Sequence, residues 1–433
     1  MIVQLEQVVN RYEQPGAKTT NSAMQNTNIM TGWRRILLLQ KTAQEYFLSG
    51  ILLHKPENIF YYTSVFTHEP SFLLVPASGE PELVVSDPAG EEAGNDSLVP
   101  VVKGGLDIAG FAYERMLQKK MFKSPPVGPV DSFLRKIGES PLGIELDYMD
   151  VFLFQYLEIR NHKNISGEVA AQREIKDSFE IENISRACET ADAAMEYARD
   201  RIYLGMSEKE LSGIFDARAK YLGAEESKCR VRSGANTARS FSRRMEGEVV
   251  RGPLLVDYGA RVSGYWSDIT RMFYLGSEPD SFFLETYNLV LEARKKALEC
   301  MYPGRSMYGP EAQIKEIFRA GGYLQNMVNT PGHGLGLEVH EQPVLAAPAA
   351  KGQNIQETPA WAKDSLATTL SDVLQDKGGD SLPRFRKGQV FALEPGLYFS
   401  ELGVRIEDVV HISDKPRFLS TYPASISDLV VPL

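Results

Sequence analysis

The stretch Leu254–Gly276, LLVDYGARVSGYWSDITRMFYLG, decides how the rest of the chain is read. Its apolar, β-branched and aromatic residues predict two strands joined by a turn at Val262-Ser263-Gly264. A hairpin about that turn is expected to set Asp257 opposite Asp268. Cβ atoms of directly opposed residues lie about 4.5–5.5 Å apart. Two ionised carboxylates at that distance repel, so either a cation sits between them or one takes up a proton. A divalent metal answers this most simply. On this segment alone, two solvated Asp on an edge hairpin stay open as the alternative.

The chain has 433 residues, room for two domains. Its 43% hydrophobic and 24% charged residues are ordinary for a globular protein, and no apolar run approaches the ~20 residues that span a bilayer. Residues 1–30 are rich in Gln, Asn and Thr and lack a basic start followed by an apolar core; they are expected to form a loosely ordered arm and not a signal peptide. A net charge of −10, without a long basic stripe, argues against nucleic acid as a partner. Cys188, Cys229 and Cys300 are widely spaced and show no CxxC. An odd number of unpaired thiols fits a reducing compartment, so the expectation is a cytoplasmic protein with no membrane partner.

From the arm onward, residues 33–48 predict a helix. ILLHKPENIFYYTSV (51–65) reads as a strand, a turn at Pro56-Glu57-Asn58 and an aromatic strand. FLLVP (72–76) and ELVVS (82–86) pair through Gly79-Glu80-Pro81, and GIELDYM (143–149) adds a strand followed by an apolar helix. His54, His68 and His162 are read as surface or packing residues. Residues 31–170 thus form an α/β domain, and 171–433 a second one. Ile184, Ala187, Ala191, Ala194 and Ala198 recur at helical spacing within 178–201. Gly205 is expected to end that helix, and Ser207 with Glu210 to form a capping box for the next. The order helix, Gly-x-Ser, helix, hairpin then recurs with helices at 281–301 and 310–320, which predicts two pseudo-symmetric α-β-β halves around a shared cleft.

The closing segment VFALEPGLYFSELGVRIEDVV (390–410) predicts a second hairpin, with Glu394 opposite Glu407 about a turn near Ser400-Glu401. The two hairpins together would form a cup of four carboxylates. Between them lies NTPGHGLGLEVHEQP (329–343), with His333 and His340 seven residues apart. An unbroken strand puts these on opposite faces. The glycines beside His333 allow close backbone approach, as at many ligand sites. One imidazole on an oxygen-rich cluster suits Mn²⁺, Fe²⁺, Co²⁺ or Zn²⁺ better than Mg²⁺ or Ca²⁺.

These residues resemble the pita-bread metallopeptidase family, which includes Xaa-Pro aminopeptidases, prolidases and creatinase-like relatives. The strings that carry the resemblance are VDYGARVSGYWSDITR, GHGLGLEVHEQP, ALEPGLYF and GVRIEDVV. HKPENIFYYTS and FLLVPASGEPELVV resemble, more weakly, the N-terminal domain of the Xaa-Pro branch. The resemblance implies an α/β (α+β) fold: an N-terminal creatinase-like domain followed by a C-terminal pita-bread catalytic domain. It implies Asp257, Asp268, His333, Glu394 and Glu407 as ligands of two divalent ions, Mn first and Fe, Co or Zn as alternatives. Asp257 would bind one ion through both oxygens. Asp268 and Glu407 would bridge, and His333 and Glu394 would complete the other ion's shell. Two such ions lower the pKa of a shared water, with Glu394 or Glu407 accepting its proton. His340 matches a histidine that contacts substrate, and Arg405 an arginine that supports the ligands. Thr270 and Glu341 are further supporting candidates, and homodimers are expected by analogy.

The pattern departs from the family at one place. Family peptidases carry another histidine before the first hairpin; in SGANTARSFSRR (233–244) Phe241 stands at that position, and no histidine occurs between His162 and His333. Arg239, Arg243 or Arg244 either substitute for it, or bind a substrate carboxylate, or form a basic surface loop. The residues 346–382 are a longer insertion than the family pattern, read as a lid, a dimer contact or a surface excursion, with a short helix over 362–376. The leading expectation is a metal-dependent hydrolase of small peptides of the Xaa-Pro type. The alternatives are a non-peptidase enzyme, a C–N hydrolase or lyase acting on a small zwitterion, and a catalytically idle binding protein.

Overall fold

A computed structural model describes residues 22–66, 71–85, 93–94, 96–103, 128–149, 151–157, 159–239, 242, 244–276, 278–345 and 383–432. The chain divides into two compact units, Met1–Arg173 and Glu174–Leu433.

In the first unit, strands β1 (Gly50–Leu53), β2 (Phe72–Pro76), β3 (Glu82–Val85), β4 (Val101–Lys103), β5 (Leu142–Ile144) and β6 (His162–Asn164) form one mixed sheet in the order β4-β3-β2-β1-β5-β6. Leu52, Phe72, Leu74, Val84 and Ile144 pack in its core with Val130, Leu153 and Leu157. Helix α1 runs Ser22–Glu45, so it begins inside the stretch expected to be a loose arm. The Ala, Met and Gln residues there are good helix formers and continue the pattern that leads to Trp33 and Ile36, both buried. A larger correction concerns Pro56–Thr63, which is helix α2 and not a turn plus strand. Pro56 takes the first helical turn, where its missing N–H costs nothing, and Ser64 closes the helix in the left-handed conformation. Glu145 also fixes this start from a distance: its carboxylate accepts the backbone N–H of His54 at 2.8 Å and of Lys55 at 3.2 Å. The same residue ends β5, which is why that strand is shorter than GIELDYM suggests. His54 bonds the Ser71 carbonyl and stacks on Phe72, while His162 meets Phe154 edge-on. His68 lies outside the described residues.

The second unit repeats one plan: a helix pair, then a sheet. Helices α3 (Ser178–Arg199) and α4 (Glu208–Tyr221) precede β7 (Glu226–Ser233), β8 (Gly252–Val262), β9 (Tyr265–Trp266) and β10 (Ile269–Leu275). Helices α5 (Ser281–Leu298) and α6 (Gly309–Ala320) precede β11 (Gly332–Gly334), β12 (Glu341–Val344), β13 (Val390–Leu393), β14 (Gly396–Tyr398), β15 (Gly403–Arg405), β16 (Asp408–His411) and β17 (Arg417–Phe418). The first sheet has the order β18-β10-β8-β7, with β18 at Val430–Val431, and the second β12-β11-β13-β16-β17. Asp177 and Glu180 form a reciprocal capping box at the start of α3. At α4 only half of the expected box exists: Ser207 accepts the Glu210 N–H, while the Glu210 carboxylate takes the Tyr203 hydroxyl. Gly205 lies beyond the end of α3, in the loop before that cap.

Alternation along β8 separates two environments. Val256 and Tyr258 face the helices, where Tyr258 packs on Phe215 of α4 and bonds its carbonyl. Asp257 points the other way. In the second sheet Phe391, Leu393, Leu397, Ile406 and Val410 anchor a core shared with Tyr287, Val290, Ile314 and Phe318 of the second helix pair. The acids next to these anchors, Glu394 and Glu407, are thereby turned to the opposite side. Among the described residues no helix is long and apolar enough to cross a membrane.

Candidate metal centre

The first hairpin differs from its expected register by two residues. Asp257 stands opposite Thr270, and Arg261 and Val262 opposite Trp266 and Tyr265. The turn consists of Ser263 and Gly264 alone, both with positive φ (50° and 82°), as in the two-residue turns that match strand twist. A shift of two keeps every side chain on its own face. Asp268 therefore still converges with Asp257, from the unpaired step between β9 and β10. The second hairpin has the expected register: Leu393 pairs with Asp408 and Gly396 with Arg405, which leaves Glu394 and Glu407 across from each other between them.

The segment carrying the histidines is not one strand. It bulges between His333 and Gly334, and residues 335–340 leave the ladder. The expected separation onto opposite faces is thus undone, and the His333 and His340 rings meet with centroids 4.3 Å apart. The flanking glycines serve the protein's own backbone: a Cβ at 332 would collide with the Ala392 carbonyl, and one at 334 with that of Gln342.

Two hydrogen bonds bring the hairpins together. Thr270 N–H donates to the Glu407 carbonyl at 3.3 Å, and Glu407 N–H to the Thr270 carbonyl at 3.1 Å. The donor atoms then form three overlapping groups, each within 4.8 Å: Asp257, Asp268 and Glu407; His333, Glu394 and Glu407; Asp268, His333 and His340. His333 Nε2 lies 3.7 Å from Glu394 and 3.9 Å from Asp268, while its Nδ1 is 2.9 Å from the Gly334 carbonyl. Asn329 holds Glu394 in place by donating to its carbonyl at 2.8 Å.

Arg405 lies in the middle of this cluster. Its guanidinium donates to Asp257 at 2.5 Å, to the Thr270 hydroxyl at 3.0 Å and to the Tyr398 hydroxyl at 3.3 Å. The Thr270 hydroxyl in turn donates a hydrogen bond to Glu407 at 2.7 Å. Arg405 and Thr270 therefore orient the carboxylates. Glu341 is held elsewhere, paired with Lys176 at 3.2 Å. Arg239 and Arg244 are exposed. Phe241 and Arg243 lie outside the described residues, as does 346–382.

Burial, then the neighbouring acids, push the carboxyls of Asp268 and Glu394 well above the usual carboxylate range. Burial also raises Glu407, to about 7. Burial lowers His333 to about 4, so its imidazole is neutral and available as a ligand near pH 7. His340, on the outer side, is likewise held down by burial of its inner edge, by His333 and by Arg230 and Lys228. Four carboxylates gathered around a neutral imidazole form a donor set that fits a divalent cation.

Tyr398, Asn329 and Arg230 were not legible as site residues. Tyr398 and Asn329 each stand four residues from a candidate ligand, Glu394 and His333, which is a weak signal. Arg230 reaches Asp257 at 3.3 Å because it sits directly opposite it in β7, and β7 has no clear strand signal of its own.

The family model described as Metallopeptidase family M24 matches residues 182–414, and that of the Creatinase/Prolidase N-terminal domain matches 35–175. The Xaa-Pro dipeptidase of Pyrococcus furiosus is 30% identical over 88% of this chain and 95% of its own length. That of Pyrococcus horikoshii is 29% identical over 84% and 90%. Among solved structures, the prolidase from Pyrococcus horikoshii superposes with a TM-score of 0.73 at 26% identity, covering 91% of this chain and 99% of that one. With its ligand-type residues gathered as described, the chain belongs to metallopeptidase family M24, a family of metal-dependent hydrolases, and carries the creatinase/prolidase type of N-terminal domain.

Proposed function

We propose that this chain cleaves short Xaa-Pro peptides at a centre of two divalent ions, manganese first, held by Asp257, Asp268, His333, Glu394 and Glu407. The observation that carries this reading is the set of overlapping donor groups, each within 4.8 Å. The relatives named Xaa-Pro dipeptidase support the substrate class. When bound, such ions supply a nucleophilic water near neutral pH and polarise the amide carbonyl. The chain's own residues do the rest. The Thr270 hydroxyl holds one oxygen of Glu407 and the Asn329 amide one oxygen of Glu394, and Glu394 or Glu407 takes the proton through the other. His340 contacts the substrate from the exposed side of the cluster, a role supported by its exposure beside His333. Arg405 keeps Asp257 in position. A cytoplasmic setting, supported by three free cysteines, and a homodimer, by family analogy, complete the proposal.

The test is elemental analysis of protein purified without chelator, followed by assays on Xaa-Pro dipeptides and longer peptides with and without added Mn²⁺. About two transition-metal ions per chain and metal-dependent cleavage are expected. Near-zero metal that added Mn²⁺ does not restore would sink the reading and favour an idle scaffold. A second reading, a non-peptidase acting on a small zwitterion, is favoured by the absence of any histidine between His162 and His333. Turnover of small zwitterions with none of the peptides would select it.

A further inference from the structure

We infer that Lys176 is a positioning residue: through Glu341 it fixes the loop of residues 335–340, and with it the place of the His340 ring against His333. The kinetic part of this rests on the hydrolase reading above.

After the bulge at His333, residues 335–340 leave the ladder, so strand pairing does not set where His340 goes. A few bonds do. Leu335 N–H donates to the Val390 carbonyl at 3.2 Å, and Trp266 N–H to the Gly336 carbonyl at 2.8 Å. Gly336 N–H donates to the Glu338 carbonyl at 3.1 Å. The loop is then closed by a carboxylate, because Glu338 N–H donates to Glu341 Oε1 at 3.0 Å. Glu341 directly follows His340, and its side chain folds back against the start of the loop. A Cβ on Gly336 would come within 2.8 Å of its Oε2. One side chain thus touches both ends of the segment that carries His340.

That side chain is itself held. Lys176 Nζ meets Glu341 Oε2 at 3.2 Å, with the two side chains 2% and 5% exposed. Lys176 immediately precedes Asp177, the N-cap of α3. Its N–H donates to the Gly388 carbonyl at 2.8 Å, and Gly388 N–H to the Ile412 carbonyl at 2.8 Å. The backbone of Lys176 is therefore tied to a helix start and to the second sheet before its ammonium reaches the loop. A buried ion pair contributes little net stability over an apolar pair of the same volume. An apolar pair, however, could not accept the Glu338 N–H. What the ammonium and carboxylate supply here is a fixed position for the loop, and a misplacement of about 1 Å at a reacting centre costs on the order of 10²-fold in rate.

The experiment compares the metal-loaded wild-type chain with Lys176→Met, Lys176→Arg and Lys176→Met/Glu341→Gln, and places Lys176→Met in a His340→Ala background as well. The Lys176→Met/Glu341→Gln protein leaves no buried charge unpaired and takes the place of Lys176→Met should that variant not fold. Unchanged metal content is expected, with kcat on Leu-Pro lower by about 10- to 100-fold, KM within a few-fold of wild type, and partial recovery in Lys176→Arg. In His340→Ala, the loss of Lys176 should lower kcat by less than about threefold, because both changes act through one group. Losses that multiply in that background, or wild-type kcat in a folded protein without Lys176, overturn the inference. A second readout needs no turnover. In ion-free protein carrying isotope-labelled histidine, the His340 ring signal, assigned by its absence from His340→Ala, is expected to move when Lys176 is lost, while those of His54 and His162 stay. If no peptide is cleaved, the hydrolase reading fails and this spectrum decides alone. A moved His340 signal upholds the positioning role, and an unmoved one overturns it.

Discussion

His340 stands on the exposed side of the metal centre with its ring against His333. It also shares a donor group with Asp268 and His333, so its role can be separated by experiment. His340→Ala is expected to keep its metal and lose about 10²–10³ in kcat, the effect of removing one group that stabilises the transition state. Asp268→Ala and Glu407→Ala are expected to lose metal and activity together. Metal loss from His340→Ala, read by elemental analysis, would make it a ligand. The raised carboxyls have a consequence of definite sign. Asp268, Glu394 and Glu407 all favour protonation in the ion-free protein, Glu407 up to about 7. Ligands must be ionised, so metal uptake at pH 7 is expected to release protons, and affinity to weaken as pH falls. Calorimetry in buffers of different ionisation enthalpy counts those protons; no net release at pH 7 would contradict the assignment. At this scale the residue types of the candidate donors and their order were readable from sequence. Arg230 was not, because its contact with Asp257 depends on the register of another strand.

Between elements, the decisive joint is the Thr270–Glu407 bridge. Arg271 holds it from behind, donating to the Glu407 carbonyl at 2.7 Å and to Asp408 at 2.7 Å, while Arg294 of α5 meets the other Asp408 oxygen at 2.5 Å. Burial alone would raise the Asp408 carboxyl, but the two guanidiniums outweigh it and hold it below the usual range. Asp408→Asn leaves Arg271, 1% exposed, short of its counter-charge. It should cost about 3–5 kcal/mol in denaturant unfolding near neutral pH. A depressed carboxyl stabilises above its unfolded pKa, about 3.9, and that stability is lost as pH falls through the folded value. The gap between wild type and Asp408→Asn should therefore close in acid; a gap independent of pH would place the effect elsewhere. Element reading succeeded where period and length were strong, as in the helices and the second hairpin. It failed at Pro56–Thr63, where an aromatic run looks like a strand until Glu145 is seen to cap it.

For the molecule as a whole, two compact units with separate cores predict separable unfolding. All five ligand-type residues belong to Glu174–Leu433. Added Mn²⁺ at about a hundred times its dissociation constant should stabilise that unit by about 2.7 kcal/mol and leave the Met1–Arg173 transition in place. Scanning calorimetry, with Trp33→Phe and Trp266→Phe assigning the transitions by fluorescence, checks this. Equal shifts in both transitions would mean that the units unfold together.

By itself, the sequence determined the chemistry: four carboxylates and an imidazole in a set order, on strands whose alternation turns acids away from their apolar neighbours. Those features are local, written in a period of two and in turn residues. Which atoms meet was decided only by tertiary structure. The two-residue turn at Ser263-Gly264 moved Asp257 opposite Thr270, and the bulge at His333 brought two histidines together that an unbroken strand would separate. The Thr270–Glu407 bridge joined hairpins that lie far apart in sequence, and β7 set Arg230 beside Asp257. Each of these depends on pairing between distant segments. The free energy of such pairing comes from burial and hydrogen bonds across the whole core, which no single stretch of sequence encodes.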